Sequence, residues 1–432
     1  MAEAMVLSKD TNYRCARSGA VTALASLFLF FAFFPYLTIV PLGTDLQPYA
    51  LLTAIILLIL VSSWHWPAEI WLLAGPMAAG LLIGVVQLFS FSALRGIGAY
   101  ATPFFVAGAT YAVLRTRSRL VDNFIKYVPY VWLVVGLIQT ALDQEFMKAF
   151  LPNMSLDPDR GVAGLATEPS FYGMFCLFLL VLNYLRNPRD RLVAFVLLFQ
   201  ILFLAKSSVA VFSLLFLLLY FGLVNLSIKQ IALCAIVIVG GYYAIVKLFP
   251  DDWRIVILTS ALLQDPSLLL LTDTSVNSRF SHFLFSLGGF FQDGLIPHGY
   301  GSFTHYVREE LAVRYPEYVW LGSLDDNLKI MSGYGAALFE LGFVGLLYLV
   351  SLTVASYKYF RGDVKAFLVL TAFIHTIMFA AVQMSLPLLG FLIGYLSFYG
   401  HANRKKLKQI DWRDPPRRNV ATYVKYDVGP IA

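Results

Sequence analysis

Residues 20–41 read AVTALASLFLFFAFFPYLTIVP, an apolar run of the roughly 20 residues a helix needs to cross the hydrocarbon core of a bilayer. It is too long for a signal-peptide core and lacks a small-residue cleavage site, so it reads as a retained first span. Comparable runs follow near 48–64, 69–91, 97–114, 124–142, 169–185, 191–205, 208–226, 230–248, 334–357, 364–382 and 385–400. The pattern predicts an all-α polytopic membrane protein with about 12 transmembrane helices.

Composition agrees. Of 432 residues, 59% are hydrophobic and 13% are charged, about half the charged share of a soluble domain, which excludes an ordinary soluble fold. The lipid bilayer is therefore the expected solvent and partner. A net charge of +6 does not point to nucleic acid, because the Lys and Arg residues sit in short segments between apolar runs and in the tail. Cys15, Cys176 and Cys234 have neither metal-ligand nor redox spacing.

Basic residues in short loops mark the cytoplasmic side. Arg14 and Arg17 precede the first run, while Arg115, Arg117 and Arg119 follow the fourth and Arg186, Arg189 and Arg191 follow the sixth. Lys358, Arg361 and Lys365 follow the tenth, and Arg404, Lys405, Lys406 and Lys408 follow the twelfth. All share one side if both termini are cytoplasmic. The predicted order is an arm over 1–19, spans one to nine over 20–248, a large periplasmic loop over 249–333, spans ten to twelve over 334–400 and a basic tail over 401–432. A smaller periplasmic loop spans 143–168. In the large loop, Ile255 to Leu263 and Phe280 to Phe291 predict short helices lying along the interface, forming a compact lid. The tail, with Pro415 and Pro416, reads as disordered.

Chemistry-bearing residues gather on the extracytoplasmic side. The first stretch runs from Arg160 through Gly161, Gly164, Thr167, Glu168, Pro169 and Ser170 to Gly173. Thr167 or Glu168 is expected to cap a helix that has Pro169 in its first turn, turning free N–H groups and the positive dipole end toward an anion. Arg160 supplies a guanidinium for a phosphate or for Glu168; the bland alternative is a capped helix with an Arg–Glu pair. The second stretch holds Asn277, Arg279 and His282, then Pro297, His298, Gly299, Tyr300 and Gly301. Arg279 reads either as a second phosphate clamp or as a cation snorkelling to the headgroups. His298 and His305 are candidates for proton transfer, with loop bystanders as the alternative. The third stretch runs from Asp325, Asp326 and Asn327 into the span containing Glu340. An ionisable group inside an apolar helix needs a partner or a wet cavity, and helix packing is the alternative to function. Lys206, at the outer face, is a further candidate for a phosphate, Glu340 or lipid headgroups. The pairs Asp251–Asp252 and Asp325–Asp326 raise a divalent cation, but adjacent carboxylates rarely converge on one ion, so no metal is expected.

These three stretches, in this order, resemble the O-antigen polymerase and ligase superfamily. The resemblance implies a membrane glycosyltransferase of the C type in a bacterial inner membrane, with no cofactor. It would transfer glycan from undecaprenyl diphosphate to an acceptor hydroxyl at the periplasmic face, and it implies a chain-length regulator as a partner. Carried onto this chain, Arg160 and Arg279 would hold the diphosphate and Glu168 would be the first candidate for the base, with Asp326, His298 or no base at all as alternatives; Lys206, His298, Tyr300, His305, Asp326 and Glu340 would be substrate-binding residues. The ligase branch usually presents a His beside an Asn before the following span; here Asp326 precedes Asn327, which favours a polymerase. A ligase and a flippase of lipid-linked sugars are the competing expectations.

Overall fold

The computed structural model describes residues 19–40, 46–61, 65–155, 161–225, 274–314 and 330–409, plus isolated positions between them. Arg160, Asp326, the acidic pairs and the ninth predicted span therefore lie outside the described residues. The regular structure of the described residues is helical, without strands. In order the helices are α1 (Gly19–Phe33), α2 (Tyr49–Val61), α3 (Ala68–Trp71), α4 (Ala74–Val86), α5 (Phe91–Ala141), α6 (Pro169–Arg186), α7 (Arg191–Phe199) and α8 (Ser208–Asn225). They continue as α9 (Thr274–Gln292), α10 (Phe303–Arg314), α11 (Gly333–Leu341), α12 (Leu346–Tyr359), α13 (Val364–Ala380) and α14 (Pro387–Gln409).

Four helical stretches are long and apolar enough to cross a membrane: Ala68–Val86, Phe91–Ala141, Pro169–Arg186 and Gly333–Tyr359. Five apolar helices are shorter. Local breaks interrupt several of the predicted runs. The predicted third run splits at Leu72–Leu73 and its helix ends at Val86 rather than 91. In the seventh, α7 gives way to a π-helical turn over Gln200–Ala205. In the tenth, α11 and α12 meet through a 3₁₀ turn at Gly342–Gly345. Conversely α5 joins the fourth and fifth predicted spans, and its non-helical Arg117 (φ −147°, ψ 51°) falls in the expected basic turn.

Close helix approach holds the bundle together. On α14, a Cβ at Gly390 would stand 2.7 Å from the Pro103 carbonyl and one at Gly394 would stand 2.4 Å from that of Ala107. This small-xxx-small face lets α14 lie against α5, the most extensive helix pairing among the described residues. Aromatic residues fill the space around it: Trp132 stacks on Phe175 and Tyr172, and its indole N–H donates to the Phe33 carbonyl.

Each end of the bundle has its own polar contacts. At one end Arg186 pairs with Asp190, Tyr359 donates to the Leu185 carbonyl at 2.9 Å, and Gly400 packs on Lys358 and Tyr359. Lys358 reaches Glu69, which is fully buried. These contacts place the predicted basic loops after the sixth and tenth runs together. The opposite end of α6, about 27 Å away for an 18-residue helix, carries Glu168, Pro169 and Ser170.

Candidate functional site

Pro169 occupies the first turn of α6, where its missing N–H costs nothing and its φ suits the helix. Glu168 sits at the N-cap position, as expected, but its side chain makes no capping bond. It accepts the Ser170 hydroxyl at 3.0 Å instead. The N–H groups of Ser170 and Phe171 therefore remain without intrahelical acceptors at the positive end of the helix dipole. Thr167, the other expected cap, is buried, and its hydroxyl has no hydrogen-bond partner among the described residues.

Into this end comes Arg279 from α9, more than 100 positions along the chain, donating through Nη2 to Ser170 Oγ at 2.8 Å. Its residue is 6% exposed, which corrects the snorkelling alternative: the guanidinium is folded into the protein, not extended to headgroups. Ser170 is thus the middle of a directed chain, accepting from Arg279 and donating to Glu168. Helix α9 packs against α11 and α13, with Phe283 edge-on to Phe379.

One turn beyond Arg279, His282 is buried, and its Nδ1 accepts the Met331 backbone N–H at 2.8 Å. That bond requires the proton on Nε2. Burial, then the neighbouring Arg279 charge, lowers His282 from 6.5 to about 4. Because folding favours the neutral ring, its stabilising contribution is complete above pH 6.5 and is lost as pH falls from there toward 4. Hydrogen exchange over residues 274–292, corrected for intrinsic rate, should accelerate across that window, and His282→Asn should remove the step. Unchanged protection from pH 7 to pH 4 would refute it.

The loop ahead of α6 is fixed by Gln139. Its Oε1 accepts Gly164 N–H at 2.7 Å, while its Nε2 donates to Gly164 O and Phe146 O, both at 2.9 Å. Gly164 has φ +61° and lies on the Tyr172 ring, a conformation and clearance that a side chain would spoil. Gln200 braces the same wall, accepting from Tyr172 at 2.8 Å and donating to the Pro129 carbonyl. Lys206, left-handed at the end of the π turn, is exposed and has no ion-pair partner among the described residues.

The remaining candidates are placed elsewhere. His298 is held on both sides, Nε2 to Asp293 at 2.6 Å and Nδ1 to the Phe339 carbonyl at 3.2 Å, with its ring stacked on Phe339. His305 is exposed on α10 and pairs with Glu309 at 3.0 Å. Neither makes a hydrogen bond or ion pair with Glu168, Ser170 or Arg279 among the described residues. Tyr300 inserts between α4 and α5, donating to the Gly80 carbonyl at 2.7 Å and standing over Gly96. Glu340 accepts the Tyr100 hydroxyl at 2.6 Å rather than a bond from Lys206, and Tyr348 in turn donates to the Tyr100 carbonyl. Glu340 and Tyr300 thus tie α11 and the loop before α10 to α4 and α5.

Among the described residues no three His, Cys, Asp or Glu side chains converge as metal ligands. No family model matches the chain, and no curated protein matches it. The geometry at Ser170 therefore carries the functional conclusion. Sequence reading missed Ser170 as the bridge and Gln139 as the clamp. An amide within an apolar run is the signal that marks Gln139.

Proposed function

We propose that this protein is a polysaccharide polymerase that joins glycan units carried on undecaprenyl diphosphate, at the extracytoplasmic face of a bacterial inner membrane. The observation that supports it most is the contact of Arg279 with Ser170 at the open N-terminus of α6, beside Glu168. A guanidinium and free helix N–H groups converging from separate segments suit a diphosphate, which needs several donors at once. The about 12 spans and the C-type glycosyltransferase architecture belong to the same proposal.

In the reaction, the acceptor hydroxyl attacks the anomeric carbon of the donor glycan. The bond between that carbon and the diphosphate oxygen breaks, and undecaprenyl diphosphate leaves with the electron pair. Arg279, the Ser170 and Phe171 N–H groups and, by its place in the loop, Arg160 take up the charge developing on that oxygen. Glu168 is the proposed acceptor of the hydroxyl proton. Its Oε2 is engaged by the Ser170 hydroxyl, whose oxygen also accepts from Arg279.

Deleting the gene and resolving surface glycan by length tests the reaction class. The expected outcome is single repeat units on the cell surface with the long polymer gone. Loss of all attached glycan would make it a ligase, and lipid-linked units trapped facing the cytoplasm would make it a flippase; either result overturns the proposal.

A further inference from the structure

A cleft of about 320 Å³ opens between the last turn of α5, the loop at Gly161–Val162 and the π turn before α8. That size is at the small end of ligand sites, which run from about 300 to 1,000 Å³. Its walls fit tightly. The Val162 N–H donates to the Leu204 carbonyl at 2.9 Å, and a Cβ at Gly161 would stand 2.2 Å from the same oxygen, so only glycine admits this approach. Lining it are Gln139, Thr140, Asp143, Gln144, Phe203 and Lys206, among others.

Several of these polar groups are already committed. Gln139 is spent on Gly164 and Phe146, and the Thr140 hydroxyl donates to the Gly136 carbonyl at 2.8 Å. Asp143 Oδ1 accepts the Glu145 N–H at 2.9 Å. What the cleft offers a ligand is the Lys206 ammonium, the Gln144 amide, the second Asp143 oxygen and the exposed Phe203 ring. Among the described residues that line it, one cation and one anion balance. A phosphate drawn by Lys206 would meet Asp143 and the negative, carbonyl end of α5, so a bare anion is poorly matched. A hydroxyl-rich neutral ligand uses donors and acceptors alike and loses nothing from their mixed sign.

The cleft also shares a wall with the reaction site. Gln139, on its floor, is the residue that fixes Gly164, and Gly164 leads within a few residues to Glu168 and Ser170. On the far side, Ser207, next after Lys206, packs against Gly173 on α6. A ligand in the cleft is thus separated from the Arg279–Ser170 pair by one loop.

We infer that this cleft is a subsite for glycan, holding sugar residues of a lipid-linked chain while its reacting end lies at Ser170. This rests on the reading of the protein as a glycan polymerase.

The test places a photoreactive benzoylphenylalanine at Gln144 in the full chain, expressed in cells that make their own surface polymer, and identifies the adduct by mass. Expected are adducts bearing sugar residues. Adducts bearing phospholipid or polyprenyl diphosphate alone, or no adduct, would overturn the inference. Beside it, Lys206→Gln with Gln144→Ala should reduce elongation about tenfold, the loss of one or two net hydrogen bonds, at undiminished expression. If Arg279→Ala abolishes polymer while the double variant leaves its length and rate unchanged, the subsite fails and the polymerase reading survives. If neither variant affects glycan, it is the polymerase reading that fails.

Discussion

Arg279→Ala is expected to slow glycan transfer by a factor on the order of 100 to 1,000, the usual cost of removing one preorganised donor from a developing negative charge. Two features of the site make the loss this large. The side chain is buried, so water does not replace the guanidinium, and its bond to Ser170 holds it at the N-terminus of α6 before any ligand arrives. Arg279→Lys should recover only part of the rate, since a single ammonium keeps the charge but lacks the planar fork that can serve Ser170 and a phosphate together. Ser170→Ala should cost less than Arg279→Ala, because it releases the alignment and keeps the cation. The measurement is incorporation of labelled repeat units in membrane vesicles, with folding checked by elution of detergent-solubilised protein as a single species. Arg279→Ala protein that folds and transfers glycan at the parent rate would end the proposed role.

The sequence made some of this site visible and concealed the rest, for physical reasons. Pro169 at the start of an apolar run announces a helix N-terminus, because proline is tolerated there and excluded deeper in. The structure has the helix begin at Pro169. Gly164 was equally legible as a place of close backbone approach. The bridging role of Ser170 was not, since it depends on α9 arriving from more than 100 positions away, and no local pattern encodes that meeting. The partners of His298 were hidden for a related reason: its two ring nitrogens meet Asp293 and the carbonyl of Phe339, 41 positions away, and no local pattern encodes the second contact. Span boundaries slipped where apolar composition hides a break. Leu72 and Leu73 are as hydrophobic as their neighbours, and nothing in hydropathy tells the π turn at Gln200–Ala205 from an ordinary helix. The buried Gln200 is the one cue, an amide that needs partners at membrane depth and finds them in Tyr172 and Pro129.

The largest stability effect is expected at the opposite end of the bundle, from Lys358→Ala. Glu69 is 0% exposed, and its one charged partner is the Lys358 ammonium; its other oxygen has no hydrogen bond among the described residues. Removing the lysine strands a carboxylate away from water, a change that costs about 3–5 kcal/mol in comparable buried pairs. The lysine side chain is 35% exposed, so Glu69→Gln should cost distinctly less: the ammonium left behind can turn to water. Replacing both, Glu69→Leu with Lys358→Met, should recover most of the stability, because two apolar side chains need no counter-charge. The unfolding midpoint in a detergent titrated with increasing sodium dodecyl sulfate reads all three. Equal midpoints for Lys358→Ala and the parent would mean the pair does not hold α3 to α12. Because Arg279 and Ser170 lie about one helix length away along α6, the Lys358→Ala protein that remains folded should transfer glycan at the parent rate, which separates loss of the fold from loss of the chemistry.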